Sequence, residues 1–299
     1  MKYCLSLISA AALSVLTAAP AQADESLFGY IVGADIIPNG QGEAVVNITR
    51  RTDKDFGTYR GTDVVLEGEY GVSDRFSVSA FVGGFNLKYK NAFAQEQVAP
   101  GVFEDVYPQQ FSGTRLSKVG VAAKYQFLSP YTDGIGLTLR SELYYQFRYG
   151  RIDGAKTKQV SFEPNIILQK NFLDDTLITT VNLKAEFENR VFPGEGAENE
   201  IKFEPGAGIS YRVAKGLYLG GEGFYRADNL NGEFNHGSVF LGPTIHYGAK
   251  KFYITATFQR QVMGTPPYSY DTAPQFTTAG VNLEEETRNE FRLKFGVNF

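Results

Sequence analysis

Phe291-Arg292-Leu293-Lys294-Phe295-Gly296-Val297-Asn298-Phe299 ends the chain. Phe291, Leu293, Phe295, Val297 and Phe299 share one parity; Arg292, Lys294, Gly296 and Asn298 share the other. A period of two puts the two sets on opposite faces of a β-strand. A soluble sandwich strand alternates in the same way. Here, however, the apolar face carries three Phe and runs to the terminal carboxylate, whereas chain ends of soluble domains are usually polar and frayed.

Working back from this segment, the alternation recurs. Ile135, Leu137, Leu139, Leu143, Tyr145 and Phe147 oppose Thr138, Arg140, Glu142, Gln146 and Arg148. Leu177, Val181, Leu183 and Phe187 oppose Asn182, Lys184, Glu186 and Glu188. Ile201, Phe203, Ile209 and Tyr211 oppose Lys202, Glu204, Ser210 and Arg212, and Val239, Leu241, Pro243 and Ile245 oppose Phe240, Gly242, Thr244 and His246. The pattern gives twelve strands, at 42–51, 58–72, 75–89, 114–128, 134–149, 157–171, 175–190, 199–213, 216–227, 236–249, 251–262 and 286–299. Several reach about fifteen residues, well beyond the usual soluble strand and enough for a tilted membrane crossing. Pro164, Pro205 and Pro243 fall inside strands, at equivalent places every second strand, where each removes a ladder donor. Local bulges are the expected accommodation.

Three features separate a membrane barrel from a secreted sandwich. Strand length is the first. The second is a pair of aromatic belts: Tyr70, Tyr125, Phe127, Phe172, Tyr211, Tyr247 and Phe252 by short connections, Tyr145, Phe147, Tyr149, Phe187 and Tyr225 by long ones. The third is that open strand edges do not survive in lipid, so closure is required. Short connections (72–74, 129–133, 172–174, 213–215, 249–250) alternate with longer ones (52–57, 90–113, 150–156, 191–198, 228–235, 263–285). That asymmetry belongs to outer-membrane barrels, with short turns in the periplasm. The expected fold is therefore all-β: a transmembrane antiparallel up-and-down β-barrel of 12 strands over 42–299. An even strand count puts both termini on the periplasmic side of a Gram-negative outer membrane.

Composition agrees. The chain has 299 residues, a formal charge of −4, 14 % aromatics with no Trp, 32 Gly and one Cys. One cysteine excludes a disulfide scaffold and a cysteine metal site, and the acidic balance argues against nucleic acid as a partner. Residues 1–23 read as a signal peptide: Lys2, an apolar run from Leu5 to Ala19, then Ala21-Gln22-Ala23. Cys4 leaves with it, so the mature chain from Asp24 is cysteine-free. Residues 24–41 end in the turn signal Pro38-Asn39-Gly40 and read as a periplasmic or lumen-lining lead-in rather than a thirteenth strand.

Phe28-Gly29-Tyr30 with Ile37-Pro38-Asn39-Gly40, then Glu69-Tyr70-Gly71-Val72-Ser73-Asp74-Arg75-Phe76, Lys124-Tyr125-Gln126-Phe127-Leu128-Ser129-Pro130 and the closing Gly296-Val297-Asn298-Phe299 together resemble an uncharacterised family of Gram-negative outer-membrane β-barrels, a domain of unknown function. The resemblance covers nearly the whole mature chain. It implies the fold and the membrane, and carries over no activity.

The face opposite the apolar one holds the candidate chemistry: Asp63, Glu67, Glu69, Lys118, Lys124, Arg140, Glu142, Arg148, Glu163, Lys184, Glu186, Glu188, Lys202, Glu204, Arg212, Glu222, Arg226, Arg292 and Lys294. Mixed charges of this kind line passages for small hydrophilic solutes; the plainer alternative is a salt-bridged filling, since twelve strands lie between filled and open barrels. Arginine at Leu139 or Leu183 should meet lipid, and arginine at Thr138 or Asn182 should be tolerated in the lumen. His236 and Ser238 are spaced to share a strand face, as a lipid-cleaving pair would be, but their parity points inward. His246 reads as a lumen polar residue. The pattern implies no catalytic residue, cofactor or metal ligand. The implied partners are outer-membrane lipid, the barrel-assembly machinery, which would read Phe295, Val297 and Phe299, and small hydrophilic solutes.

Overall fold

The computed structural model describes residues 27–92, 95–99, 102–105, 108–151, 153–194, 196–265 and 280–299. Their backbone forms β1 (Gly42–Thr52), β2 (Thr58–Ser73), β3 (Phe76–Lys90), β4 (Gln95–Ala99), β5 (Val102–Asp105), β6 (Gln110–Leu128), β7 (Gly136–Arg148), β8 (Lys156–Phe172), β9 (Leu177–Val191), β10 (Ala197–Ala214), β11 (Leu217–Leu230), β12 (Glu233–Gly248), β13 (Phe252–Thr265) and β14 (Asn289–Asn298). Twelve of these close into one barrel, each strand pairing antiparallel with its neighbour in the chain and β14 returning to β1. The pair β4–β5 stands outside the barrel as a separate hairpin within the long connection 90–113. At the seam Gly42 and Phe299 exchange backbone hydrogen bonds of 2.8 and 2.9 Å.

The alternation resolves into two environments. Leu66, Val121, Leu139, Leu183, Ile209, Leu241 and Phe258 stand exposed on the outside, while Thr138, Asn182, Ser210, Thr244 and Gln259 are buried inside. A continuous exposed apolar surface is unfavourable in water and favourable in hydrocarbon, so the outer face is the lipid face. Most belt aromatics are exposed at the two edges of this band. Tyr149 is an exception: its ring turns to Phe192, and the Arg190 guanidinium lies 5.0 Å from its centroid.

The prolines are not accommodated by bulges. Pro164, Pro205 and Pro243 each pair in register with the preceding strand, opposite Ser141, Leu183 and Gly221. Toward the following strand each lies in a two-residue gap in the pairing, and the register is the same on both sides of the gap. A strand residue directs its N–H toward one neighbour only, so a proline opens one ladder and leaves the other whole.

Strand ends also depart from the sequence reading. The connection expected at 228–235 is a two-residue hairpin, Asn231-Gly232, with φ of 51° and 90°; both residues adopt the left-handed conformation that the tightest hairpin turn requires. In β3 the alternation inverts after Gly83-Gly84. Below it the inward residues are Ser77, Ser79 and a single aromatic, Phe81; above it they are Phe85, Leu87 and Tyr89, with Asn86, Lys88 and Lys90 outward. Together with Tyr59, Ala92 and Phe111 the inward set makes a small apolar core, the pattern of a strand that has left the membrane for water.

Candidate functional site

Twelve strands enclose more space than their own side chains fill. In this barrel the remainder is taken by a segment of the chain itself. Residues 27–37 enter past Pro38 and Gly71 at the short-turn rim, rise into the lumen to Tyr30 and Ile31, and bend back toward Ile178 and Tyr218 near the same rim. Leu27, Phe28, Ile31, Ala34 and Ile37 are buried there. Gly206 and Gly208 of β10 provide the sockets: a Cβ on Gly206 would lie 2.6 Å from Ile31, and one on Gly208 would lie 2.6 Å from Phe28.

The segment forms no strand pairing, so its backbone polar groups need partners from the wall. Glu222 of β11 accepts from Gly29 N (2.7 Å), Tyr30 N (2.8 Å) and Ile31 N (2.8 Å), three successive N–H groups converging on one carboxylate. Asn182 accepts from Val32 N and donates to Val32 O. Ala34 N donates to Gln169, and Ala34 O accepts from Gln126 and Thr138. Lys124 donates to Asp35 O. Arg292 donates to Gly29 O at 3.0 Å and lies over the Tyr30 ring, whose hydroxyl donates to Glu290 at 2.6 Å. Burial, reinforced by Glu290, pushes the Tyr30 phenol well up; burial also raises Asp35, against the pull of Lys124. Between Tyr30, Ile31, Asn182, Lys184, Glu204 and Phe224 a cavity of about 10 Å³ remains, room for about one water molecule.

Above this segment the charged residues cross-link the lumen. Arg226 meets Glu204 (2.6 Å), Glu286 (3.0 Å) and Glu290 (3.5 Å). Arg51 joins Asp63 and Glu290, Lys184 joins Glu163 (3.6 Å) and Glu204 (2.5 Å), and Arg151 reaches Glu286 at 3.7 Å. His236 links Asp228 to Glu286. A second group gathers Lys202 and Arg190 with Glu186, Glu188, Glu198 and Glu200. Glu286 belongs to residues 280–288, which fold inward ahead of β14: Val281, Leu283 and Glu286 are buried, and Asn282 O accepts from Gln261. Burial favours the neutral Glu286 acid, but Arg226 and Arg151 overcome it and hold the group well below the usual carboxylate range.

Residues 20–299 match the model of a family of unknown function, DUF6662. The chain belongs to this family. Among solved structures, an outer-membrane channel from Pseudomonas putida F1 is similar with a TM-score of 0.55 at 10 % identity, over 89 % of this chain and 98 % of that one. The beta domain of the Bordetella autotransporter Brka is similar with a TM-score of 0.51 at 15 % identity, over 87 % and 99 %. At these identities the likeness is one of fold, that of outer-membrane barrels. No curated protein matches the chain in sequence.

In this DUF6662 barrel the residues picked out by parity occupy distinct positions. Glu163, Lys184, Glu186, Glu188, Lys202 and Glu204 form the ion pairs of β8, β9 and β10. Arg140 bridges Glu142 and Glu67, Glu69 accepts from Ser77, and Lys118 lies over the Tyr144 ring at 4.6 Å. Lys124, Glu222 and Arg292 hold the inserted segment. Arg148 donates to Gly154 O beyond the strand end, and Arg212 donates to Thr176 at the short-turn rim, so these two stand apart from the central cluster. Lys294 lies in β14 two residues beyond Arg292, on the same face. Phe295 and Phe299 face outward, with Phe299 76 % exposed. His236 and Ser238 are both buried in the lumen; Ser238 accepts from Gln261, and no hydrogen bond joins the pair. Lipid has no access to either. Sequence reasoning missed Tyr30, Arg51, Arg151, Arg190, Asp228, Glu286 and Glu290. Arg51, Arg190 and Glu290 already lie on the inward parity of the expected strands 42–51, 175–190 and 286–299, and Asp228 joins them where β11 runs on to Leu230; Tyr30 and Arg151 lie outside the strands, where alternation carries no signal, and Glu286, expected to begin the last strand, precedes the observed β14.

Proposed function

We propose that this barrel is a gated conduit for small hydrophilic solutes in the outer membrane of a Gram-negative bacterium, closed by its own residues 27–37, with both termini periplasmic and residues 1–23 removed on export. One observation carries the reading: the lumen wall is polar and charged, and its filling is a separable segment attached through side-chain hydrogen bonds that water can replace. The excess of carboxylates in the ion-pair clusters favours cations over anions.

Single-channel recording in planar bilayers tests this, comparing the mature chain, a variant lacking residues 24–37, and Glu222→Leu. The mature chain is expected to be closed with brief openings, and the deletion to give sustained conductance that prefers cations, with Glu222→Leu between them. A folded deletion variant that carries no current overturns the conduit reading and leaves a scaffold that displays its loops. That second reading draws support from the ion pairs that bind the wall together above the inserted segment.

A further inference from the structure

Where β11 and β12 approach the long-loop rim, they meet the inward-folded residues that precede β14, and three metal-ligating side chains converge. We propose that Asp228, His236 and Glu286 bind one divalent first-row transition-metal cation of the zinc type.

The three side chains are buried, with 4 %, 2 % and 1 % of their residues' surface exposed. His236 Nε2 stands 3.3 Å from Asp228 Oδ2 and 3.6 Å from Glu286 Oε1. His236 Nε2, Asp228 Oδ1 and Glu286 Oε1 have no hydrogen-bond partner. Buried polar atoms are rarely left so, and a ring nitrogen lone pair facing two carboxylates is repelled unless a positive charge lies between them. One cation bound to Nε2, to Glu286 Oε1 and to the Asp228 carboxylate through both Oδ1 and Oδ2 satisfies all three groups. A tetrahedral ion with ligand bonds of about 2.0–2.2 Å holds its ligands about 3.3–3.6 Å apart; Nε2 shows these separations to each carboxylate, and all three ligand atoms lie within 4.8 Å of one another, so the two carboxylates close in on the ion.

Donor chemistry narrows the ion. One imidazole nitrogen and two carboxylate oxygens suit zinc and its neighbours; calcium takes six to eight oxygens, and magnesium an octahedral oxygen shell. The outer partners agree. The Asn235 amide nitrogen Nδ2 lies 3.3 Å from His236 Nδ1; turning the amide over to place its oxygen toward the ring lets it accept an Nδ1 proton and leaves Nε2 free for the metal. Arg226 holds Glu286 Oε2 at 3.0 Å, which leaves Oε1 to the ion. Arg151 Nη1, 3.7 Å from Oε1, draws back when the ion enters.

Charge points the same way. The ion-paired cluster around Arg226 contains four cations and, counting Asp228, six carboxylates. That excess of carboxylates favours a cation at this corner of the lumen. The bound ion joins β11 and β12 to residues 280–288. This inference holds whether or not the lumen conducts.

The experiment uses the untagged chain, folded in detergent, stripped with EDTA, and titrated with zinc chloride, with metal content measured after dialysis. One zinc per chain is expected. His236→Gln and Glu286→Gln should each weaken binding by more than tenfold. Asn235→Ala keeps all three ligands and should weaken it about tenfold, which preserves the test if the ligand variants fail to fold. His246→Gln, which removes the other histidine of the chain, should bind like wild type. Zinc should also slow proteolysis within 280–288 in wild type and not in His236→Gln. Absence of binding by wild type, or equal binding by wild type and Asn235→Ala with the loss falling on His246→Gln, overturns the site; His236 is then a protonated bridge between two carboxylates.

Discussion

Thr138 and Leu139 are adjacent in β7 and live in opposite surroundings. Leu139 faces lipid, as does Leu183 in β9, while Thr138 Oγ1 donates to Ala34 O and Asn182 holds both polar groups of Val32. Arginine at Leu139 or Leu183 should cost ~2–4 kcal/mol near mid-membrane, measured by equilibrium unfolding in liposomes. Arginine at Thr138 or Asn182 should leave insertion intact and expel residues 27–37, seen as new protease cleavage in that segment. Equal loss of insertion at all four positions would contradict the faces assigned here. Alternation alone tells lipid from lumen correctly for these four residues. It does not tell what fills the lumen, because a polar side chain facing water and one facing a buried backbone carbonyl occupy the same parity.

Residues 27–37 act as one element, and Asp35 makes their seating depend on pH. Burial raises the Asp35 pKa above its free value, against opposing contributions from Lys124 and the hydrogen bonds of Gln169 and Tyr131. The seated segment therefore binds the Asp35 proton more tightly than the released one does. Seating is strongest below the ordinary aspartate pKa and weakens as pH rises through the raised value. Hydrogen exchange of residues 27–37 should accordingly be slower at pH 4 than at pH 7, and Asp35→Asn should remove most of the difference; exchange that slows with rising pH, after correction for intrinsic rates, would refute the sign. Gly208→Leu should unseat the segment at either pH by filling the socket of Phe28. At this scale the sequence was only partly legible. Strand existence follows from hydrophobic period, but strand ends lie beyond the lipid, where the apolar face no longer has to point outward; β3 inverts there for that reason. The Asn231-Gly232 turn was open to reading as a hairpin signal and was hidden inside a supposed long loop. The three prolines required knowledge of which neighbour each N–H addresses.

The whole barrel depends on its seam. Gly42 and Phe299 bond to each other through their backbones, and the Phe299 ring lies where a side chain on Gly42 would stand. Deleting Phe299 removes one rung of closure together with the exposed ring that the assembly machinery is proposed to read. Membrane levels of the truncated chain should fall, and normal levels would contradict the assignment. The proposed conduction would also be a property of the whole. In the variant without residues 24–37, replacing Arg140 and Arg148 with Gln removes one cation from between Glu142 and Glu67 and another from the outer end of β7. Cation preference should rise, more at 0.01 M salt, where screening extends to about 30 Å, than at 1 M, where it is about 3 Å. The twelve-strand count and the common rim of the strand ends at β1 and β14 were readable because an even number of crossings returns the chain to its starting side. The cluster of Asp228, His236 and Glu286 was not: Asp228 and His236 face each other across the β11–β12 hairpin, but Glu286 reaches them from the connection ahead of β14, where alternation carries no signal.

The return of β14 to β1 has a consequence in time. The seat for residues 27–37 is assembled from β6, β7, β8, β9, β11 and β14, with partners as far along the chain as Glu290 and Arg292. The seat is complete only when the final strand brings Glu290 and Arg292. The portion of the chain synthesised early is thus expected to come to rest late, once the circle that holds it is complete. Chain order and folding order would then run opposite ways, and the delay would be set by how quickly a short tethered segment finds a pocket that has only just come into being.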